Sequence, residues 1–331
     1  MSFIYNERGL KDTRISVVIR CLNEAAHLPR LLESISRQTL KPVEVIVVDS
    51  GSTDRTIEIA RNGGARVVQI SPTEFSFGRA INFGARVATG DILVMASAHT
   101  YPVDDGWLEN LMTPFTDSTV ALVYGGQDGD HRSKYSERQL FKQWFPEQDC
   151  SDQKHTFCNN ANSAVRRTVW ASLPYDEEIP ALEDIEWAKR AIDRGHKVAY
   201  VAKAAIVHVH EEPYGKIYRR YRREAMGLRR IYPWERMSLI QAISLGLSAM
   251  ISDIKHAAAD GVLGSKVGSI LMFRSAQYFG TYRGMNEHGG LNSDLRARLY
   301  YPRGYQTPPN SPPQRGGVDA SASASGRGGR P

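Results

Sequence analysis

Cysteine is scarce in this 331-residue chain: Cys21, Cys150 and Cys158 are all it has. An odd, sparse set without metal-ligand spacing excludes a disulfide framework and points to a reducing compartment. Long apolar runs are missing too. No stretch approaches the roughly 20 uncharged apolar residues needed to span a bilayer. The opening MSFIYNERGLKDTR contains no apolar core of signal-peptide length. The expectation is a reduced, cytoplasmic, non-spanning protein. Acidity is also lacking, since 42 Lys and Arg stand against 36 Asp and Glu, a net charge of +6. That balance favours anionic partners, whether nucleotide phosphates, anionic lipid heads or nucleic acid. No internal repeat is present.

What is there alternates. Short β-branched runs follow one another at ISVVIR (15–20), VEVIVV (43–48), ARVVQI (65–70), DILVMA (91–96) and VALVYG (120–125). Helical spacings lie between them, as in Leu28, Leu31, Leu32 and Ile35, with Asn23 as a candidate N-cap, and in Ile81, Gly84, Ala85 and Ala88. This alternation predicts an α/β fold with a mostly parallel, Rossmann-like sheet flanked by helices. Residues 127–158 are polar and irregular and read as a loop-rich insertion. A helix after LED should turn Ile185, Ala188 and Ile192 inward. KVAYV and AIVHVH then close the sheet region.

In open parallel sheets, ligands bind beyond the carboxyl ends of the strands. RCLNEAAHLPRLL follows the first strand, DSGSTD the second and SAHTYP the fourth, so three polar clusters converge on one site. A nucleotide sugar suits them: Asp49 would accept from base or ribose, Asn23 and Glu24 would frame the nucleoside, and a metal would bridge the diphosphate.

VVIRCLNEAAHLPRLLESISRQT, VIVVDSGSTDRT and ALEDIEW, in that order, resemble an inverting glycosyltransferase of family 2 with the GT-A fold. FSFGRAINFGARVATGD and VDDGWLENL are similar to its bacterial rhamnosyltransferase-like members. The resemblance spans roughly residues 15–212. It implies a nucleotide-diphosphate sugar donor (UDP-, GDP- or dTDP-linked), a divalent cation, Mn²⁺ or Mg²⁺, and a carboxylate base. It assigns the base to Asp184, with Glu183 second. Arg20, Ser97 and Arg79 join Asn23, Glu24 and Asp49 as nucleotide-sugar contacts, with Asn82 beside Arg79. Asn160 and Asn162, in NNANSAVRR, become acceptor contacts. Acids at a helix start also suit the macrodipole, and Asn is an ordinary turn former.

The chain departs from that family at Ser97-Ala98-His99, where acidic metal ligands would stand. His99 occupies the position of the branch's Asp, and imidazole is a good ligand for Mn²⁺-class ions and a poorer one for Mg²⁺. Of His208 and His210 in VHVH, strand alternation leads us to expect only one at the site, and the resemblance favours His208. The alternative is a hydrogen-bonded loop histidine, with the diphosphate met by arginines.

Beyond the 1–212 domain, residues 213–300 read as helices and 301–331 as a disordered tail rich in Pro, Gly, Ser and Arg. KIYRRYRREAMGLRRIYPWER mixes arginine with aromatics, which suits an anionic membrane surface. The later apolar segments read as amphipathic helices that pack together or lie in a membrane interface. Expected partners are thus the sugar donor, a glycan or lipid-linked acceptor in cell-surface polysaccharide synthesis, and the inner face of the plasma membrane as a peripheral site. Nucleic acid is not expected. The competing reading is a catalytically silent nucleotide- or glycan-binding scaffold of the same fold.

Overall fold

The structure, a computed structural model, describes residues 13–287. Its strands are β1 (Ile15–Cys21), β2 (Glu44–Asp49), β3 (Arg66–Gln69), β4 (Ile92–Ser97), β5 (Thr100–Pro102), β6 (Val120–Asp128), β7 (Asn162–Arg166) and β8 (Lys197–His208). They form one sheet in the order β3-β2-β1-β4-β7-β6-β8-β5. The first four pair in parallel, and β8 lies parallel to β6. β7 runs antiparallel to β4 and β6, and β5 antiparallel to β8. The sheet is therefore mixed, with two strands reversed against the rest.

β1 and β4 are apolar along their length because both faces are covered. Ile15, Val17 and Ile19 of β1 pack with Leu28, Leu31 and Trp107 on one face. Val18 points the other way, among Ile46, Ile81, Ala85 and Trp187. This is the period-two alternation of a strand between two helical layers.

The covering helices are α1 (Leu28–Arg37), α2 (Thr56–Asn62), α3 (Phe77–Val87), α4 (Trp107–Met112), α5 (Tyr135–Trp144), α6 (Arg167–Ser172) and α7 (Glu183–Asp193). Beside them stand α8 (Tyr214–Ile231), α9 (Leu239–Ala259) and α10 (Leu263–Met285). α10 lies against α8 at Gly280 and Gly284, where any larger residue would strike the backbone oxygens of Tyr218 and Arg222. Both oxygens of Asp253 on α9 are held at 2.8 Å by Arg274 of α10, and the pair is buried.

Several expectations change. Asn23 does not cap α1, which begins five residues later behind His27, with Pro29 in its first turn. The insertion at 127–158 is not all loop, because α5 forms within it and buries Glu137, Leu140 and Phe141. On α7 the buried face is Trp187, Ala188 and Ala191, while Ile185 and Ile192 are half-buried. KVAYV and AIVHVH are one strand, β8. The tail expected from 301, and residues 288–300, lie outside the described residues. Among the described residues, all three cysteines are free and no helix is long and apolar enough to cross a membrane.

Candidate functional site

The register of the parallel strands sets the floor of the site. Cys21 at the end of β1 pairs with Asp49 at the end of β2, and Arg20 pairs with Ser97 at the end of β4. The loops that follow β1 and β2 are stitched together. Asn23 Oδ1 accepts from the Thr53 amide at 2.8 Å, while the Asn23 and Glu24 amides donate to Ser52 Oγ and Thr56 Oγ1, each at 2.8 Å. Asn23 stands in the left-handed region at φ 56°, one of two such non-glycine residues among those described. Asparagine tolerates that conformation better than most side chains. Asp49 is fully enclosed, and its carboxylate accepts from the Gly51 and Ser52 amides at 3.0 Å. It shapes the turn that frames the cleft.

Three imidazoles meet at the far end of β4 and β8. His99 and His208 stack with ring centres 5.1 Å apart, and His208 Nε2 lies 2.9 Å from His210 Nε2. Each Nδ1 faces a side-chain oxygen: Glu24 at 2.8 Å from His99, Gln127 at 3.0 Å from His208, and Glu137 at 2.7 Å from His210. An N–H donated at each Nδ1 leaves the Nε2 lone pairs turned toward one another. This is how metal-ligating histidines are oriented by the groups behind them. One ring nitrogen of each lies within 4.8 Å of the other two. Nitrogens about 2.1 Å from one ion stand roughly 3.0 Å apart at a right angle, close to the 2.9 Å observed. Burial, then the neighbouring His210 and His99, hold the His208 pKa well below its usual value, so the ring is the neutral ligand form. Glu137 Oε2 and Gln127 Nε2 are buried beside the cluster without a hydrogen-bond partner among the described residues. The donor set fits a divalent cation.

The expectation that only one of His208 and His210 faces the site is corrected. Residues two apart share a face of a strand, so alternation does not separate them. Glu137, His210 and Glu212 are also spaced for a cation, but Arg220 already fills that place, donating to Glu212 at 2.8 Å and to Glu137 at 2.5 Å. Burial opposes the charge on Glu137, yet His210 and Arg220 outweigh it and hold the carboxyl down at about 2.

The second centre is a pair of buried carboxylates in the first turn of α7. Glu183 Oε1 accepts from Arg20 at 3.1 Å and from Asn160 Nδ2 at 3.3 Å. Asp184 Oδ2 accepts from the Asn160 amide at 3.0 Å. Burial first and the Glu183 charge second push the Asp184 carboxyl up to about 7, against the opposing amides and Arg20. A carboxylate so placed is a proton acceptor at neutral pH. Leu182, just before the pair, is left-handed at φ 63° and turns the chain into α7. Behind it, α8 presses on the backbone of Ala181 at Gly227. Arg20 links the two centres: it holds Glu183 and adds to the field that keeps His208 neutral.

Other sequence candidates lie elsewhere or act differently. Ser97 Oγ sits 3.2 Å from His99 Nε2. The Arg79 guanidinium is committed to Glu177 at 2.8 Å, and Asn82 is buried among Trp170, Tyr175 and Glu177. From that helix it is Phe77 that reaches Arg20, its ring 5.0 Å from the guanidinium, with Arg223 at 4.9 Å. The acceptor role expected of Asn162 is corrected: it is fully enclosed, donates to Gly126 and Ala204 and accepts from Trp107. Asn160 is enclosed too, with Ser163 and Tyr175 on its oxygen, and it holds the carboxylates in place. Sequence reasoning missed Gln127, Glu137 and Arg220. For Glu137 a signal existed in its helical spacing with Leu140, Phe141 and Trp144.

A family model described as glycosyl transferase family 2 matches residues 16–172. The O-antigen chain rhamnosyltransferase RfbN of Salmonella typhimurium is 28% identical over 221 residues, 63% of this chain and 70% of that protein. WbaN, an O-antigen chain rhamnosyltransferase of Salmonella anatum, is 30% identical over 202 residues, 57% of this chain and 63% of that one. In fold, the chain is similar to mannosyltransferase PcManGT from Pyrobaculum calidifontis, solved in complex with GDP-Man and Mn²⁺. The TM-score is 0.58 at 17% identity, covering 83% of this chain and 87% of that one.

Proposed function

We propose that this chain is a glycosyl transferase of family 2, on the rhamnosyltransferase-like branch, a reading supported by the family model and by the O-antigen rhamnosyltransferase relatives, and that its two centres divide one reaction. The fold is GT-A, and the activity is sugar transfer from a nucleotide-linked donor in polysaccharide biosynthesis. The finer reading is an inverting transfer of a rhamnosyl or other hexosyl unit from a UDP-, GDP- or dTDP-linked donor to a hydroxyl of a glycan or lipid-linked acceptor. The buried Glu183–Asp184 pair beside the imidazole cluster carries this reading.

Asp184 takes the proton of the acceptor hydroxyl. The oxygen attacks the anomeric carbon from the face opposite the diphosphate. The bond from that carbon to the phosphate oxygen breaks, and the electron pair leaves on the nucleoside diphosphate. Glu183, paired with Arg20, keeps Asp184 basic through like-charge proximity. Asn160 fixes both carboxylates. Asn23, Glu24 and the turn held by Asp49 frame the nucleoside. His99 and His208, with His210 beside them, would hold a divalent cation, which would supply positive charge against the diphosphate.

The test is transfer by D184N with each nucleotide sugar and a membrane-extracted acceptor, with the product anomer read by NMR. Loss of about 10²-fold or more in kcat, with nucleotide binding intact, is expected. A retained anomeric configuration counts against direct displacement. The silent-scaffold reading, which the Ser97-Ala98-His99 departure favours, requires nucleotide binding without transfer by the native chain.

A further inference from the structure

The surface of the α9–α10 hairpin is predominantly basic: its one exposed acid, Asp260 in the connecting turn, accepts from the Tyr135 hydroxyl at 2.7 Å. Within α9 and α10 the only acid is Asp253, and Arg274 neutralises it in the interior. Lys255, Lys266 and Arg283 are the exposed charges that remain. Among them the helices show water a ridge of large apolar side chains. Ile240, Ile243, Leu247 and Ile251 are all exposed, Ile240 at 81%. Their spacing of three and four residues lines them up along one side of α9, over roughly 16 Å. Phe279 of α10 is exposed as well. In the turn before α9, Trp234 is 69% exposed, followed by exposed Glu235 and Arg236, whose charges cancel.

A soluble monomer rarely keeps such a continuous ridge uncovered. Ser244, Ser248 and Ser252 line a shallow groove together with Leu247, Ile251 and Lys255, beside the ridge. A second copy of the chain is a poor cover, because a two-fold contact sets the same patch against itself and opposes like charges. An anionic lipid surface satisfies both features, since it takes apolar side chains below the head groups and meets lysine and arginine at their level. Tryptophan at the rim suits the same boundary, with an apolar ring and one polar N–H.

We propose that the outer face of the α9–α10 hairpin docks on an anionic phospholipid bilayer, with Ile240, Ile243, Leu247 and Ile251 entering the interface and Lys255 and Lys266 on the head groups. The helices lie on the surface and do not cross it. α10 packs on α8 at Gly280 and Gly284, and α8 touches the catalytic loop at Gly227. Docking therefore holds the carboxylate pair at a set height above the lipid heads. That this serves a lipid-linked acceptor rests on the proposed function; the docking itself does not.

The experiment is sedimentation of the full chain with phosphatidylcholine vesicles, with and without about 30% phosphatidylglycerol. The native chain is expected to pellet with the anionic vesicles only, and added salt weakens the binding. I240S/I243S/L247S lowers partitioning by about tenfold or more, and K255E/K266E also weakens it. Melting temperature and nucleotide binding stay at native values in both. The proposal is overturned if the native chain stays in the supernatant with anionic vesicles, or if the serine variant pellets as the native chain does. A dimer that the serine variant converts to monomer assigns the ridge to a second copy instead. Nucleotide binding on the same samples reports separately on the transferase reading.

Discussion

Asp184 is ionised only against the resistance of its surroundings, and that resistance has two measurable consequences. Its base form must predominate for transfer, so kcat/KM is expected to rise with pH through about 7 and then level off. E183Q removes the like charge and moves the rise to lower pH; removing Arg20, as in R20Q, moves it higher. A pH profile unmoved by either variant contradicts the assignment. The second consequence is for stability. A folded-state pKa raised above the unfolded value means that the folded protein holds the proton more tightly, so stability falls as pH climbs from about 4 toward 7. D184N should therefore melt higher than the native chain at pH 8, with a gap that narrows on acidification, even as transfer is lost. At this scale the carboxylate pair was legible, because LED opens a helical pattern after a recognisable series of strand ends. His99 was visible as a departure from an acidic pattern. The groups behind the imidazoles were not, since Gln127, Glu137 and Glu24 come from three separate elements, joined by folding alone.

At the scale of elements, the catalytic turn is positioned from behind. Gly227 of α8 lies so close to Ala181 that even a methyl group meets its backbone oxygen. G227A is expected to cost about 1–3 kcal/mol through overpacking, read as a lower melting temperature, and to reduce kcat because Leu182 and the pair shift with Ala181. Unchanged melting and rate would place α8 outside the machinery. The strands β1, β2 and β4 were legible because burial on both faces leaves nearly uninterrupted apolar runs. β8 was split in two because Lys203, exposed at a strand whose neighbours change along its length, interrupts its apolar run. The polar face of α5 outweighs a narrow apolar stripe, which hides the helix in the sequence, and its buried Glu137 speaks for partners that folding supplies, His210 after β8 and Arg220 of α8.

Over the whole molecule, two chemistries share one sheet edge, and their separation can be tested. The imidazole donor set favours Mn²⁺ and later first-row ions over Mg²⁺. Nucleotide affinity should thus gain more from Mn²⁺ than from Mg²⁺, and H208A should abolish that gain while leaving metal-free binding in place; equal gains from the two ions would contradict the ligand assignment. The division into a sheet domain and a helical region was legible in the change of periodicity near Glu212. How the helices press on the catalytic turn was not, because it depends on glycine contacts distant in sequence. The most direct measurement is calorimetric titration with UDP, GDP, dTDP and CMP, each with Mn²⁺ and with EDTA, on the native chain and on D184N. One nucleoside diphosphate should bind both proteins equally, and more tightly with Mn²⁺. Absence of binding by any of them, with or without metal, would contradict a nucleotide-sugar site at these strand ends.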